Sequence, residues 1–471
     1  MKLIERASRH RTGRRSAEGA TTTPAASRLG WLDALRGIAA LSVAVYHFAL
    51  PFYWVPHGTK VPYYLDPGIF GVMLFFLVSG YIIPASLERR GDVRGFWAGR
   101  FFRILPVVIL TVVGSLLILP RQYSVVNAWS YEHPLLSIVA SGTMLQDMTG
   151  VANVIGVMWT LTYEMIFYYF ATALFVVGWH RKSAPIAIGF AAFAVVLGAW
   201  LSLGTITKDI QSTRHLVAAV TLVVVMAMAC IATARPELVR WGGVMLGGLG
   251  LTLILLNGRS TAFETMMIFA TMFAGTVLYR LEHGQIERLP AILCCTFVAV
   301  SGFLCGYLYN RGPALWRTWS SSWMSFSYAY IAAWAVFVIG MMLRKRRFPR
   351  WLSWLGAISY SVYLLHNPLI HAMNWLLEGH APIVSWKDRG IQLVAFSAAL
   401  LIISYASYRL IEIPFQNLGR KVMKAVNRRF PAPAAPQPAV VGQARPAEAP
   451  DGAVPAPAAA SPEPALSGNR D

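Results

Sequence analysis

The sequence predicts an all-α, polytopic integral membrane protein with about 10–12 transmembrane helices and both termini in the cytoplasm. Three observations carry this. The 471-residue chain is 56% hydrophobic and only 13% charged. Apolar stretches of about 20 residues, the length that crosses a bilayer as a helix, follow one another along it. Its basic residues gather in alternate short loops, as the positive-inside rule requires. The net charge of +20 therefore sets topology and does not point to nucleic acid.

Residues 1–28 are polar and basic, with Arg6, Arg9, Arg11, Arg14, Arg15 and Arg28 and no apolar core. They read as a disordered cytoplasmic tail and not as a secretory signal peptide. Spans are expected near 31–53, 68–87, 103–119, 157–178, 184–203, 214–234, 239–257, 262–281, 291–309, 323–343, 355–377 and 390–411. With the N-terminus inside, the loops 54–67, 120–156, 204–213, 258–261, 310–322 and 378–389 fall outside. Each holds only one or two Lys or Arg, whereas the inside loops 87–100 and 344–350 are far richer. The loop 120–156 is too long for a plain connection. Its apolar run PLLSIVASGTML (134–145) predicts a short helix lying at the outer surface or dipping into it. Beyond 415 come a basic juxtamembrane segment and a Pro/Ala-rich tail that cannot bury a core. Cys230, Cys294, Cys295 and Cys305 all lie in apolar segments, so packing, not a disulfide framework or a metal site, is expected of them.

The first span, WLDALRGIAALSVAVYHFALPFY, carries Asp33, Arg36 and His47. Ionisable groups in a span face protein or an aqueous cavity. Eleven residues make close to three helical turns, so Arg36 and His47 share a face, roughly 16 Å apart along the axis. Arg100 and Arg103 lie one turn apart at the entry to the third span. Near the cytoplasmic side, with Arg36, they suit a phosphorylated ligand, because guanidinium forks bind phosphate oxygens in pairs. In the fourth span Glu164 lies at a depth matching that of His47, and a carboxylate beside an imidazole raises its basicity and fixes its tautomer. Other polar groups have plainer readings. Ser79 and Tyr81 suit helix packing, His366 an interhelical hydrogen bond, and Arg409 with Glu412 an ion pair at the inner edge. Trp54, Trp129, Trp319 and Trp323 suit interfacial anchoring.

Six stretches, LDALRGIAALSVAVYHF, FFLVSGYII, FWAGRFFRILP, WTLTYEMIFYYF, LGAISYSVYLLHNPLI and SYRLIEIPF, stand in an order that resembles the membrane-bound acyltransferase 3 family. They cover roughly residues 31–178 and 355–415 of a domain that spans 29–415. Ala34 stands where the family commonly has Gly, and the span count exceeds the ten usual there. The resemblance implies an enzyme of the bacterial inner membrane that moves an acyl group, usually acetyl, from acyl-CoA to a hydroxyl of a glycan or lipid-linked glycan. It implies no permanently bound cofactor and no metal. It maps the family's Arg and His onto Arg36 and His47, its third-motif arginines onto Arg100 and Arg103, and its carboxylate onto Glu164. Some relatives carry an extracytoplasmic hydrolase-like domain; the tail here implies the standalone type. The expected chemistry has Arg36, Arg100 and Arg103 on the phosphates of the donor. His47 is general base or covalent acyl carrier, and Glu164 supports it or positions the acceptor. A secondary transporter of a polar or anionic solute is the alternative, although no repeated halves are visible.

Overall fold

The computed structural model describes residues 30–52 (side chains to 48), 64–199, 204–258, 260–312, 315, 318–320, 322–378 and 385–431. The expected N-terminal and Pro/Ala-rich tails and Trp54 lie outside them. Every regular element described is helical. In chain order these are α1 (Gly30–Phe52), α2 (Pro67–Arg90), α3 (Val93–Ile118), α4 (Ala128–Glu132), α5 (Pro134–Thr143), α6 (Trp159–Val176), α7 (Ser183–Leu197), α8 (Ile210–Ala232), α9 (Pro236–Leu256), α10 (Ala262–Glu282), α11 (Arg288–Tyr309), α12 (Trp323–Met342), α13 (Arg350–Leu376), α14 (Trp386–Ser407) and α15 (Ile413–Arg429). A π-turn, Tyr408–Glu412, joins α14 to α15. A helix stands at each expected span. Among the described residues, 8 helices are long and apolar enough to cross a membrane by length and composition. α1, α6 and α13 are not among them, and α7 is a shorter apolar helix.

Boundaries moved where caps act. The third span was expected to begin near 103, yet α3 starts at Val93. Asp92 accepts from Gly95 N at 2.9 Å and caps it, and Gly91 at φ 64 closes the tight turn from α2. Arg100 and Arg103 therefore sit inside a helix. The basic juxtamembrane segment, for which no element was expected or excluded, forms α15. Pro414 suits its first turn, and Gly419 packs on Phe102 of α3. The run at 134–145 does form a short helix, α5.

Close helix crossings place the elements that matter. A Cβ on Gly356 of α13 would stand 2.0 Å from the Asp33 carbonyl of α1, so only glycine permits this approach. α2 packs against buried α10 in the same way: a Cβ on Gly80 would lie 1.9 Å from Met272 O. Pro84 lacks an N–H and leaves the Gly80 carbonyl without its helical donor. The Thr276 hydroxyl of α10 donates to that carbonyl at 2.8 Å instead.

The loops sort to the two ends of the bundle. At one end, Asn257 Nδ2 donates to Met148 O, and its Oδ1 accepts from the backbone N–H of Ile206 and Thr207. At the other, fully buried Arg280 holds Glu88 at 2.5 Å, His180 O at 2.6 Å and Gln285 Oε1 at 2.9 Å. Arg344 meets Glu282 at 2.8 Å there. The first set joins loops expected outside, the second loops expected inside. Alternation along the chain thus agrees with the spacing of apolar segments.

Candidate functional site

Five helices, α1, α2, α3, α6 and α13, enclose a pocket with about 930 Å³ of space unfilled by atoms, part of it open. Arg36, Arg100, Arg103 and Glu164 line it together with Ser79, Thr160, Ser359, Tyr360, Tyr168 and Tyr363. Three arginines face a single carboxylate among these residues, so the pocket favours an anion. Arg36 lies 3.8 Å from Asp33, one turn earlier on α1. The Arg100 guanidinium sits over the rings of Phe96 at 3.8 Å and Tyr168 at 5.0 Å. That stacking holds its plane without using its donors on a carboxylate. Among the described residues, no ion pair engages Arg100 or Arg103.

Glu164 and His47 were expected to face each other. No hydrogen bond or ion pair joins them among the described residues. Glu164 accepts from Tyr168 Oη at 2.5 Å and faces the arginines. Equal depth fixes position along two helix axes, but packing sets the rotation about each axis, and that rotation decides which side chains meet. His47 pairs instead with His366 of α13, its Nδ1 3.0 Å from His366 Nε2. The ring planes differ by 7° with centroids 5.1 Å apart. Face-stacked rings would sit at about 3.5–4.0 Å, so these two are joined edge to edge through the hydrogen bond.

The neutral tautomers follow from the partners. His366 Nδ1 lies 3.3 Å from the Val362 carbonyl, which can only accept. Nδ1 therefore carries the proton, and Nε2 of His366 offers a lone pair. His47 Nδ1–H donates to it. This leaves His47 Nε2 as an unprotonated nitrogen, the atom needed in a base or nucleophile. His366, read from sequence as a structural histidine, is thus the group that orients His47. The i to i+4 step back to Val362 is local, but the match to His47, 319 positions away, is not readable from a linear pattern.

Around this pair the polar groups are tied in. Tyr363 Oη lies 2.8 Å from Thr160 Oγ1 and donates to Val157 O at 3.1 Å, and its ring stands 5.9 Å from His366. Glu412 was expected to pair with Arg409. It turns inward from the π-turn and accepts from Ser361 Oγ at 2.5 Å, while Arg409 stays exposed. The extra residue of a π-turn changes the facing of neighbouring side chains, so ordinary helical spacing misplaces them. Ser79 lines the pocket, and Tyr81 donates to Glu282. Trp319, expected as an interfacial anchor, packs on Trp159 with centroids 4.2 Å apart. The four cysteines are free. No group of three His, Cys, Asp or Glu that would hold a metal occurs among the described residues.

Comparison with known proteins agrees with the motifs. The family profile described as an acyltransferase domain, Acyl_transf_3, matches residues 29–208 and 216–409. The chain is 25% identical over 404 residues to the peptidoglycan O-acetyltransferase OatA of Listeria monocytogenes, covering 82% of this chain and 56% of that protein. It is 29% identical over 151 residues to the acyltransferase MdmB of Streptomyces mycarofaciens, covering 31% of this chain and 38% of that one. The chain thus spans little more than half the length of the Listeria relative. No solved structure matches it. A profile that takes in nearly all the helices, together with five of the six motifs converging on one pocket and one histidine pair, leads to one conclusion: the chain belongs to the acyltransferase 3 family of multi-pass membrane acyltransferases.

Proposed function

We propose that the protein is an O-acyltransferase of the bacterial inner membrane that moves an acyl group, acetyl first of all, from acyl-CoA to a hydroxyl of a glycan or lipid-linked glycan. The observation that carries this is the arrangement on α1. Arg36 at one end joins Arg100 and Arg103 in an anion-favouring pocket. His47, three turns along, is held by His366 with its second nitrogen unprotonated. The arginines bind the phosphates of the donor from the basic, cytoplasmic end. Glu164 spaces them and limits their mutual repulsion.

In the reaction, His47 Nε2 takes the proton of the acceptor hydroxyl. The oxygen attacks the thioester carbonyl carbon, the C–S bond breaks, and the departing thiolate takes the proton back from His47. The products are the ester and free CoA thiol. As the imidazolium forms, its Nδ1–H bond to His366 strengthens, because donation from a charged ring is the stronger bond. If His47 carries the acyl group covalently, the same nitrogen attacks first, and acid quenching traps an acylated His47.

The test is transfer of radiolabelled acetyl from acetyl-CoA to envelope glycan in membranes holding the protein. His47→Ala at normal protein level should abolish transfer, and wild-type transfer in that variant would sink the mechanism. Arg103→Ala should weaken acetyl-CoA binding by about 10- to 100-fold, the worth of a charge-assisted bond to phosphate. Unchanged acetyl-CoA affinity would make that arginine a topology signal alone.

A further inference from the structure

A second cavity lies on the far side of the first turn of α6. Asn127, Asp147, Asn153, Trp159, Ser260 and Trp319 are the polar and aromatic residues of its wall, around about 770 Å³ of space, part of it open. All but Trp159, which opens α6, come from three loops that hydropathy placed on the outer side. We infer that this cavity is the acceptor site, and that it takes an uncharged sugar unit of an extracytoplasmic glycan. The inference rests on the O-acyltransferase reading and names the substrate class for it.

The chemistry of the wall selects the ligand. The charged group on its described wall is a carboxylate, Asp147, where the first pocket presents three arginines. One carboxylate, two carboxamides and a hydroxyl offer mixed donors and acceptors, which fits vicinal hydroxyls. Two indole rings offer the flat apolar faces on which the C–H face of a sugar ring packs. The size falls in the range of small-ligand sites, about 300–1,000 Å³.

The wall is built in advance. Asn153 Nδ2 donates to Asp147 Oδ1 at 2.8 Å, and Gln146 Nε2 donates to Asn153 Oδ1 at 3.0 Å, so both side chains are oriented. Asp147 is 8% exposed, so its carboxylate is held in the wall and does not swing out into solvent. Trp319 is fixed by a buried carboxylate: its backbone N–H donates to Glu264 Oε1 at 2.9 Å, and Thr261 donates to Oε2 at 2.6 Å. Glu264 is wholly buried in α10, where an ionisable group is costly. Holding the Trp319 loop gives it a purpose that the donor pocket does not.

The position also fits. Gly156 and Trp159 face this cavity, while Thr160 and Glu164 face the arginine pocket. A single turn, 156–160, is therefore the partition, and Tyr363 beside His366 is bonded to it through Val157 O and Thr160. The two cavities thus lie on either side of one turn, and Tyr363, whose ring is 5.9 Å from His366, ties that turn to the histidine pair.

Saturation-transfer NMR on the full chain in nanodiscs tests this, with N-acetylated chitotetraose and maltotetraose as probes and sorbitol as the ring-free control. At least one saccharide should show transfer to its ring C–H protons, and sorbitol none. Asp147→Asn and Trp319→Ala should weaken saccharide binding by roughly tenfold or more, and Trp319→Phe should retain most of it. Binding of radiolabelled acetyl-CoA should stay unchanged in all three. The site is overturned if neither saccharide binds, if Asp147→Asn binds as wild type does, or if acetyl-CoA binding falls together with saccharide binding. Saccharide binding needs no chemistry, so failure of acetyl transfer would refute the parent reading separately.

Discussion

Replacing His366 tests the histidine pair most directly. In His366→Ala, His47 Nδ1–H loses its acceptor at 3.0 Å, and the ring loses what fixes its tautomer and rotation. His366 is wholly buried, so water does not simply take its place. An unmatched buried donor costs about 1–3 kcal/mol, and the imidazolium formed in the transition state loses a charge-assisted bond of similar worth. Since about 1.4 kcal/mol is a factor of ten, kcat should fall by roughly 10- to 100-fold. The donor contacts lie elsewhere, on Arg36, Arg100 and Arg103, so KM for acetyl-CoA should hold within about twofold. His366→Gln places an amide oxygen near the vacated Nε2 and should recover part of the loss, because an amide oxygen can accept from His47. The assay is steady-state release of CoA thiol by purified protein in nanodiscs with saturating acceptor. A wild-type kcat in His366→Ala would refute the orientation argument. An equal fall for Ala and Gln, with lost thermal stability, would assign His366 to packing.

Two further substitutions test the frame that holds the site. Arg280→Met removes a fully buried cation and strands Glu88, which breaking of buried pairs prices at about 3–5 kcal/mol. Thermal unfolding in detergent should drop by many degrees, and an unchanged midpoint would mean that Glu88 finds water. Gly356→Val puts a branched Cβ where the Asp33 carbonyl already stands 2.0 Å from an ideal Cβ. α1 and α13 must then separate, misaligning His47 with His366. Acetyl transfer should fall more than acetyl-CoA binding does, and wild-type transfer would show that the crossing tolerates a side chain.

The spans were legible in the sequence for a physical reason. In a bilayer each helix satisfies its own backbone, so the apolar run that defines it is local and needs no partner to be recognised. The shared face of Arg36 and His47 was legible for the same reason, since periodicity along one helix is also local. Five of the six motifs located the five helices of the arginine pocket. Charge in the loops gave the alternation that the two polar clusters at the bundle ends repeat.

What the sequence did not determine is which faces meet. Glu164 and His47 were correctly placed on their helices and wrongly placed against each other, because rotation about the axis is set by packing. Glu412 was mispaired because a π-turn alters helical phase where no residue announces it. The cavity around Asp147 and Trp319 combines loops separated by more than a hundred positions, and none of its residues forms a motif alone. Sequence fixes depth along a helix through local chemistry. Only the tertiary structure decides orientation around it, because that depends on small residues such as Gly356 and on neighbours remote in the chain.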